Sequence, residues 1–337
     1  MTKTPTIFVQ IAAYRDEECL PTVADIFKKA THPDRITVGI CWQYDKETEA
    51  PFTYPERESQ VRVLNVDIRE TEGPCWARRQ TQTLWQDEDY TLQLDSHMRF
   101  IPEWDRVLLV EIAQCPSPKS VISCPPANYT PPDNLQENPR PTVNGVKPWS
   151  KDFGVRGRGA FLAKSPEKPL NGAFICAGFL FAPTSIIQEV PYDPYLYFSE
   201  EEPSYAARLW TSGWDIFSAT QTVVYHFYNV GEHKGKRTLH WDDHKERYAY
   251  FRRRSRSRFR HLFGIENCAD QDMLAELDKY HLGTQRSLAD YEAYCGVDYK
   301  NETVSERALR CEFIDGLANH LNRPKLYVPE LDDPPES

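Results

Sequence analysis

The chain has 337 residues, 40 of them basic and 50 acidic, and its formal net charge of −10 argues against general nucleic-acid binding. No apolar run is long enough to cross a bilayer, and the amino terminus becomes acidic too early for a signal peptide, so we expect no membrane span. The nine cysteines show neither a C-x-x-C pair nor zinc-ligand spacing, which favours reduced thiols and a cytoplasmic protein.

The first 125 residues alternate between strand and helix patterns. Short apolar runs predict strands, and apolar residues at helical spacing predict helices between them. This βαβ order predicts an α/β fold with a mostly parallel, Rossmann-like sheet and helices on both faces. The predicted strands are 6–13, 35–42, 61–68, 90–94 and 119–124, and the predicted helices cover 20–30, 76–85 and 104–112.

Residues 125–170 behave differently, because they contain nine prolines, and we expect an ordered binding loop or a mobile one there. Farther along, apolar runs predict strands at 172–183 and 221–228, with a helix at 201–210 between them. Beyond about residue 245 the chain is charged and helical in pattern. We therefore predict a main domain over 1–245 and a helical carboxyl-terminal extension over 246–337 packed on its core.

The run at 90–94 stops abruptly at Asp95, Ser96 and His97. Polar groups at the end of a buried strand are costly unless they have partners, and ligands of open α/β sheets bind at the carboxyl ends of the strands. Asp95 and His97 are two residues apart and face the same side of an extended segment. A divalent metal with a phosphorylated ligand would satisfy both side chains. The alternative is a strand that simply ends in an Asp/Ser turn.

Two later features could complete this site. Glu200, Glu201 and Glu202 stand at a predicted helix start, where carboxylates either complement the helix dipole or accept hydrogen bonds from sugar hydroxyls; Glu201 is our preferred functional member. His226 ends the last predicted strand and is either a core histidine or the third metal ligand. Mixed oxygen and nitrogen ligands suit Mn²⁺ better than structural zinc.

Several basic residues could assist an anionic ligand. Arg78 lies on the predicted helix before the Asp95 strand, and Lys234 follows His226 in a loop that could close over phosphates. The arginine-rich run at 252–260 is interpreted as a solvated helix face that balances the acidic remainder of the chain.

Six short segments of the sequence carry a family resemblance: 73–78, 94–100, 197–201, 208–215, 224–226 and 283–287. Together they resemble the N-acetylglucosaminyltransferases of cytoplasmic type that modify protein hydroxyproline. In that family, Asp-Ser-His stands in the place of the Asp-x-Asp metal motif of GT-A glycosyltransferases. The chain departs from the family at Ser199, where glycine is common, and at Glu202-Pro203. The resemblance spans roughly residues 6 to 300.

The resemblance implies a GT-A fold, UDP-N-acetylglucosamine (UDP-GlcNAc) as donor, Mn²⁺ or Mg²⁺ as cofactor, and retention of anomeric configuration. The acceptor would be a hydroxyl of a protein or glycan, with 125–170 as its surface. The implied roles are metal ligands for Asp95, His97 and His226; nucleotide binding for Tyr14, Arg15, Asp16, Arg78 and Lys234; and catalysis for Glu201, Glu200 and Asp215.

Two other functions stay open at this point. A metal-dependent sugar-nucleotide phosphohydrolase would use the same Asp, His and Glu groups without an acceptor. A non-catalytic protein that binds sugar nucleotides or glycans would keep the fold without turnover.

Overall fold

An eight-stranded sheet forms the centre of the molecule in the computed structural model, which describes residues 5–228 and 238–312. Its strand order is β11-β13-β6-β12-β4-β1-β2-β3. The strands are β1 Ile7–Tyr14, β2 Ile36–Tyr44, β3 Val61–Asp67, β4 Tyr90–Asp95, β5 Met98–Phe100, β6 Ser120–Ile122, β7 Ala127–Thr130, β8 Asn134–Leu135, β9 Thr142–Val146, β10 Gly157–Phe161, β11 Leu170–Gly172, β12 Phe179–Pro183, β13 Asp215–Ser218, β14 Val224–His226, β15 Val297–Asp298 and β16 Thr303–Val304.

The sheet is mostly parallel, as predicted. β1 pairs in parallel with β2 and β4, and β2 pairs in parallel with β3. β12 runs antiparallel between β4 and β6, while β13 is again parallel to β6. All strands of the sheet except β11 and β12 therefore point the same way, and their carboxyl ends share one edge.

Helices cover both faces of the sheet. Along β1, Val9 and Ile11 belong to a hydrophobic cluster with α1 and α3, whereas Phe8 faces a second cluster with α5, α7 and α8. This alternation follows from the two-residue period of a strand. The helices are α1 Cys19–Lys29, α2 Pro74–Gln82, α3 Trp104–Ala113, α4 Ser185–Glu189, α5 Glu201–Thr211, α6 His240–Asp243, α7 Lys245–Leu262, α8 Leu288–Cys295 and α9 Glu306–Leu309.

A second sheet, in the order β5-β14-β7-β8, lies beyond the carboxyl end of β4. β5 starts three residues after Asp95, and its antiparallel pairing with β14 places His226 opposite Met98. This register brings the end of β14 to the turn between β4 and β5, which contains Ser96 and His97.

The proline-rich segment 125–170 is built into the fold. It contains the four short strands β7 to β10, and buried apolar side chains such as Val143, Val146 and Leu162 anchor it in the main hydrophobic cluster. The single strand predicted at 172–183 is wrong, because β11 and β12 are separate strands at different positions of the sheet.

The described part of the carboxyl-terminal extension shares its core with the sheet. Phe259, Tyr291 and Tyr299 are buried in the same cluster as Phe8. Among the described residues, no helix combines the length and the apolar character that crossing a membrane requires. All nine cysteines lie in the described part of the chain, and all are free thiols.

The prediction that the arginine-rich run in α7 is a solvated face is wrong for two of its arginines. Arg254 and Arg258 are buried: Arg254 pairs with Glu72 at 2.8 Å, and Arg258 pairs with Asp193 at 2.5 Å. Arg258 also donates to the Ala275 carbonyl at 2.8 Å. These arginines therefore fasten α7 to the core, with their charges paired as burial requires.

Candidate active site

Asp95, His97 and His226 converge at the carboxyl edge of the main sheet. One ligand atom from each side chain lies within 4.8 Å of the other two. The Nε2 atoms of His97 and His226 are 3.0 Å apart, and His226 Nε2 lies 3.2 Å from Asp95 Oδ2. One carboxylate oxygen and two imidazole nitrogens this close together form a donor set that suits a divalent transition metal.

His97 is held by a carboxylate behind it. Asp16 Oδ2 lies 2.5 Å from His97 Nδ1 and also accepts the Ser96 hydroxyl at 2.7 Å. A proton on Nδ1 facing Asp16 leaves the Nε2 lone pair for a metal, which is the common carboxylate–histidine arrangement of metal sites. The buried carboxylate of Asp16, which was predicted to bind the nucleotide, thus contacts Ser96 and His97.

Arg78 connects Asp95 with Glu201. Its guanidinium donates to Asp95 Oδ1 at 2.9 Å, and its Nε lies 2.7 Å from Glu201 Oε1. Burial opposes the charged form, but Glu201 and Asp95 raise the pKa of Arg78 well above its usual value. Within the described residues, buried Arg78 Nη1 has no hydrogen-bond partner. It is a donor held ready for an anionic or hydroxyl-bearing ligand.

The charge at Asp95 is set by its neighbours. Burial alone would raise the pKa of this carboxyl, but the hydrogen bond with His226 and the charge of Arg78 outweigh it and hold the pKa well below its usual range. Asp95 is thus an anion, the form that a metal ligand needs.

Glycine permits the close packing around Asp95. A Cβ at Gly178 would lie 2.6 Å from Asp95 Oδ2, so any larger residue would displace the carboxylate. Gly73 precedes α2 with a φ of 102°, and a Cβ there would lie 2.7 Å from the ring of Tyr197. Gly178 lets the backbone before β12 approach Asp95, and Gly73 lets the backbone before α2 approach Tyr197.

The three adjacent glutamates point in different directions. Glu201 faces Arg78, and burial raises its pKa while Arg78 limits the rise. Glu200 instead accepts the Ser255 hydroxyl of α7 at 2.7 Å. Glu200, which was also predicted to be catalytic, therefore does not join the Arg78–Asp95 group, and its hydrogen bond connects α5 with α7.

Glu202 is a residue whose importance the sequence did not reveal. Its Oε1 accepts the backbone N–H of Ala177 at 2.9 Å, beside Gly178. Burial, together with the nearby charge of Glu201, raises its pKa to about 7. The signals in the sequence were its place beside Glu200 and Glu201 and the departure from the family pattern at this position.

Tyr14 and Arg15 lie where the prediction placed them, at and just after the carboxyl end of β1. The Tyr14 hydroxyl donates to Asp243 at 2.8 Å, and Arg15 pairs with Asp243 at 3.0 Å and with Glu49 at 2.8 Å. Asp243 ends α6, an element that was not predicted and that closes this side of the sheet edge. The predicted Lys234 lies outside the described residues.

Asp215 is not part of this group. It begins β13, opposite Ser120 at the start of β6, and so lies at the amino ends of the parallel strands. Its carboxylate pairs with Arg286 at 2.8 Å. Asp215, which was predicted to be catalytic, thus lies at the opposite edge of the sheet from Asp95.

The mixed sheet and its flanking helices have the architecture of the GT-A glycosyltransferase fold. The model of the protein family described as "Glycosyltransferase (GlcNAc)" matches residues 6–59 and 54–301. The chain therefore belongs to this family of GlcNAc glycosyltransferases. The match covers Asp95, His97 and His226.

Two solved structures are similar to the chain, and the first of them supports the fold. The crystal structure of GalNAc-T7 with UDP, GalNAc and Mn²⁺ is similar at 13% identity and a TM-score of 0.55, covering 87% of this chain and 57% of that one. S. aureus TarS 1–349 in complex with UDP-GlcNAc is similar at 12% identity and a TM-score of 0.43, covering 82% and 72%. None of the curated proteins compared with the chain matches it.

Proposed function

We propose that the chain transfers N-acetylglucosamine from UDP-GlcNAc to a hydroxyl acceptor in a reaction that requires Mn²⁺ or Mg²⁺. The observation that carries this proposal is the convergence of Asp95, His97 and His226 at the sheet edge, with Asp16 orienting His97. A divalent ion held by these three side chains would neutralise the diphosphate of the donor and assist its departure.

Arg78 and Glu201 act beside the diphosphate in this proposal. The unpaired Nη1 of Arg78 would donate to a phosphate or sugar oxygen, and the ion pairs with Asp95 and Glu201 hold it in place. Glu201 would accept a hydrogen bond from a sugar hydroxyl. Because these charges are buried, they are already oriented when the ligand arrives, which is how electrostatic stabilisation is most effective.

Tyr14 and Arg15 would flank the uridine. Both lie at the carboxyl end of β1, the strand beside β4, and α6 holds them through Asp243. Their side chains are therefore positioned at the same edge as the metal ligands, where an open α/β sheet binds nucleotides.

We propose retention without a covalent enzyme intermediate. Glu201 is engaged by Arg78, and Glu200 and Asp215 face elsewhere, so these carboxylates are poor nucleophiles. The anomeric carbon–phosphate oxygen bond breaks, the acceptor oxygen bonds to that carbon on the same face, and the acceptor proton passes to the departing phosphate oxygen. A glycosyl adduct trapped on any of these carboxylates would contradict this route.

The acceptor is proposed as a protein hydroxyl, of hydroxyproline, serine or threonine, met by the 125–170 segment. The cytoplasm is the proposed setting, and nine free thiols support it. Six of these thiols are buried, and Cys115, Cys176 and Cys268 are partly exposed.

The deciding experiment measures UDP release from a panel of sugar nucleotides, with Mn²⁺ and with excess chelator, in the presence and absence of hydroxyproline, serine and threonine peptides. We expect metal-dependent release that rises with acceptor and yields glycosylated peptide. Free sugar irrespective of acceptor would indicate a phosphohydrolase, and donor binding by calorimetry without UDP release would indicate a non-catalytic binder.

A further inference from the structure

A cavity of about 230 Å³ lies at the edge of the sheet opposite the metal ligands. Glu201 begins α5 and Trp210 lies near its end, so about 14 Å of helix separates the two regions at 1.5 Å per residue. The residues around the cavity include Asn171, Gly172, Trp210, Asp215, Arg286 and Tyr294.

Two aromatic rings form one wall of this cavity. The rings of Trp210 and Tyr294 are stacked, with centroids 5.8 Å apart and planes 19° from parallel. The Arg286 guanidinium lies 4.8 Å from the Trp210 ring centroid. Tyr294 also donates its hydroxyl to the Gly172 carbonyl at 3.2 Å, which ties α8 to β11. The two rings therefore cover part of each other's faces, and contacts on several sides hold them in place.

The polar groups around the cavity carry both signs. Asp215 and Arg286 form an ion pair at 2.8 Å, with side chains 33% and 30% exposed. Exposed pairs of this kind contribute little to stability, so stability alone gives no strong reason for the pair. Within the described part of the chain, the Asn171 amide makes no side-chain hydrogen bond that the structure records, and neither does the Trp210 indole N–H.

We propose that this cavity binds a neutral sugar ring, as a carbohydrate site separate from the donor site. A sugar hydroxyl both donates and accepts, so it can satisfy Asp215 and Arg286 at once, and Asn171 offers the same pair of functions. An anion would meet the carboxylate, and a cation would meet the guanidinium. Trp210 and Tyr294 offer apolar surface to the C–H groups of a pyranose ring, and aromatic surface with a few convergent polar groups is typical of small-ligand sites.

Saturation-transfer NMR on the full chain tests this inference with free N-acetylglucosamine, glucose and galactose. Excess UDP and Mn²⁺ are present to occupy the proposed donor site. We expect saturation transfer to the ring protons of at least one sugar under these conditions. Asp215→Asn and Arg286→Gln should each weaken the Kd about tenfold, because each removes a charged hydrogen-bonding group.

Arg57→Gln is the matched control. Arg57 also lies 4.8 Å from an aromatic ring centroid, that of Phe27, and pairs with Asp34 at 3.3 Å with its own side chain 30% exposed. It does not border the cavity, and its replacement should leave sugar binding unchanged.

Three results would overturn the inference: no transfer to any of the three sugars at millimolar concentration, transfer that UDP and Mn²⁺ abolish, or transfer unchanged in both Asp215→Asn and Arg286→Gln. Preferential binding of inorganic phosphate, detected by ³¹P line broadening that Arg286→Gln removes, would also overturn it. The readout is binding, so the inference is independent of whether the chain proves to be a transferase.

Discussion

Each of the two edges of the sheet has an arginine–aspartate ion pair, and the two pairs differ in their exposure to solvent. Arg78–Asp95 at the carboxyl edge and Arg286–Asp215 at the amino edge have nearly equal lengths, 2.9 and 2.8 Å. The Arg78 side chain is only 6% exposed, whereas that of Arg286 is 30% exposed. Because charges interact more strongly where water is excluded, the first pair is suited to catalysis and the second to reversible binding.

The sharpest test of the carboxyl edge is Asp95→Asn. We expect UDP release to fall by more than about a thousandfold, because the amide lacks the charge of the proposed metal ligand. Electron paramagnetic resonance of Mn²⁺ should show lost binding, and circular dichroism should show a retained fold. Full activity in this variant, or wild-type activity in excess chelator, would defeat the metal proposal.

Arginine-to-glutamine changes at the two edges test the comparison directly. Arg78→Gln leaves Asp95 and Glu201 without their shared cation, and we expect about a hundredfold slower UDP release and a loss of about 3 kcal/mol in the free energy of unfolding. Arg286→Gln should change both quantities little, within about twofold and about 0.5 kcal/mol. Steady-state kinetics and urea unfolding measure both, and equal effects at the two edges would break the contrast.

Asp16→Asn tests the support behind His97. We expect Mn²⁺ affinity to fall about ten- to hundredfold, the usual effect of removing a group that orients a metal-binding histidine. Asp25→Asn is the control, since the buried Asp25 carboxylate accepts the Phe100 N–H at 2.7 Å without contacting His97. The control should lose stability and keep its metal affinity; the opposite pattern would contradict the assigned role of Asp16.

Glu202 should give a pH dependence of stability. Its pKa is raised from 4.5 to about 7, so the folded protein retains a proton that the unfolded chain releases. The stability that this group contributes is present below pH 4.5 and is lost as pH rises through about 7, by at most about 3 kcal/mol.

Glu202→Gln keeps an acceptor for the Ala177 N–H but cannot ionise. Urea unfolding at pH 5 and pH 8 should show the variant gaining stability relative to the wild type at the higher pH. A difference between the two proteins that is the same at both pH values would show that Glu202 does not titrate in this range.

The sequence predicted five of the six strands before residue 125, because these five are short apolar runs, and it missed β5. It also identified Asp95, His97 and His226, since polar residues that end buried strands are conspicuous. It could not place β11 or β12, because an apolar run carries no information about which neighbour it joins. The roles of Asp16, Glu200 and Asp215 depended on side-chain partners far away in sequence, which spacing alone does not reveal.

The aromatic residues of the extension have a consequence for the smallest fragment that could fold. The Trp210 ring packs at 5.6 Å from Tyr291 and 5.8 Å from Tyr294, both on α8, while Glu201 begins the same helix that carries Trp210. A protein shortened at residue 245 would keep every proposed metal ligand and yet strip the far end of α5 of its cover. The segment after residue 245 is thus a structural part of the enzyme's core and cannot be removed without exposing α5.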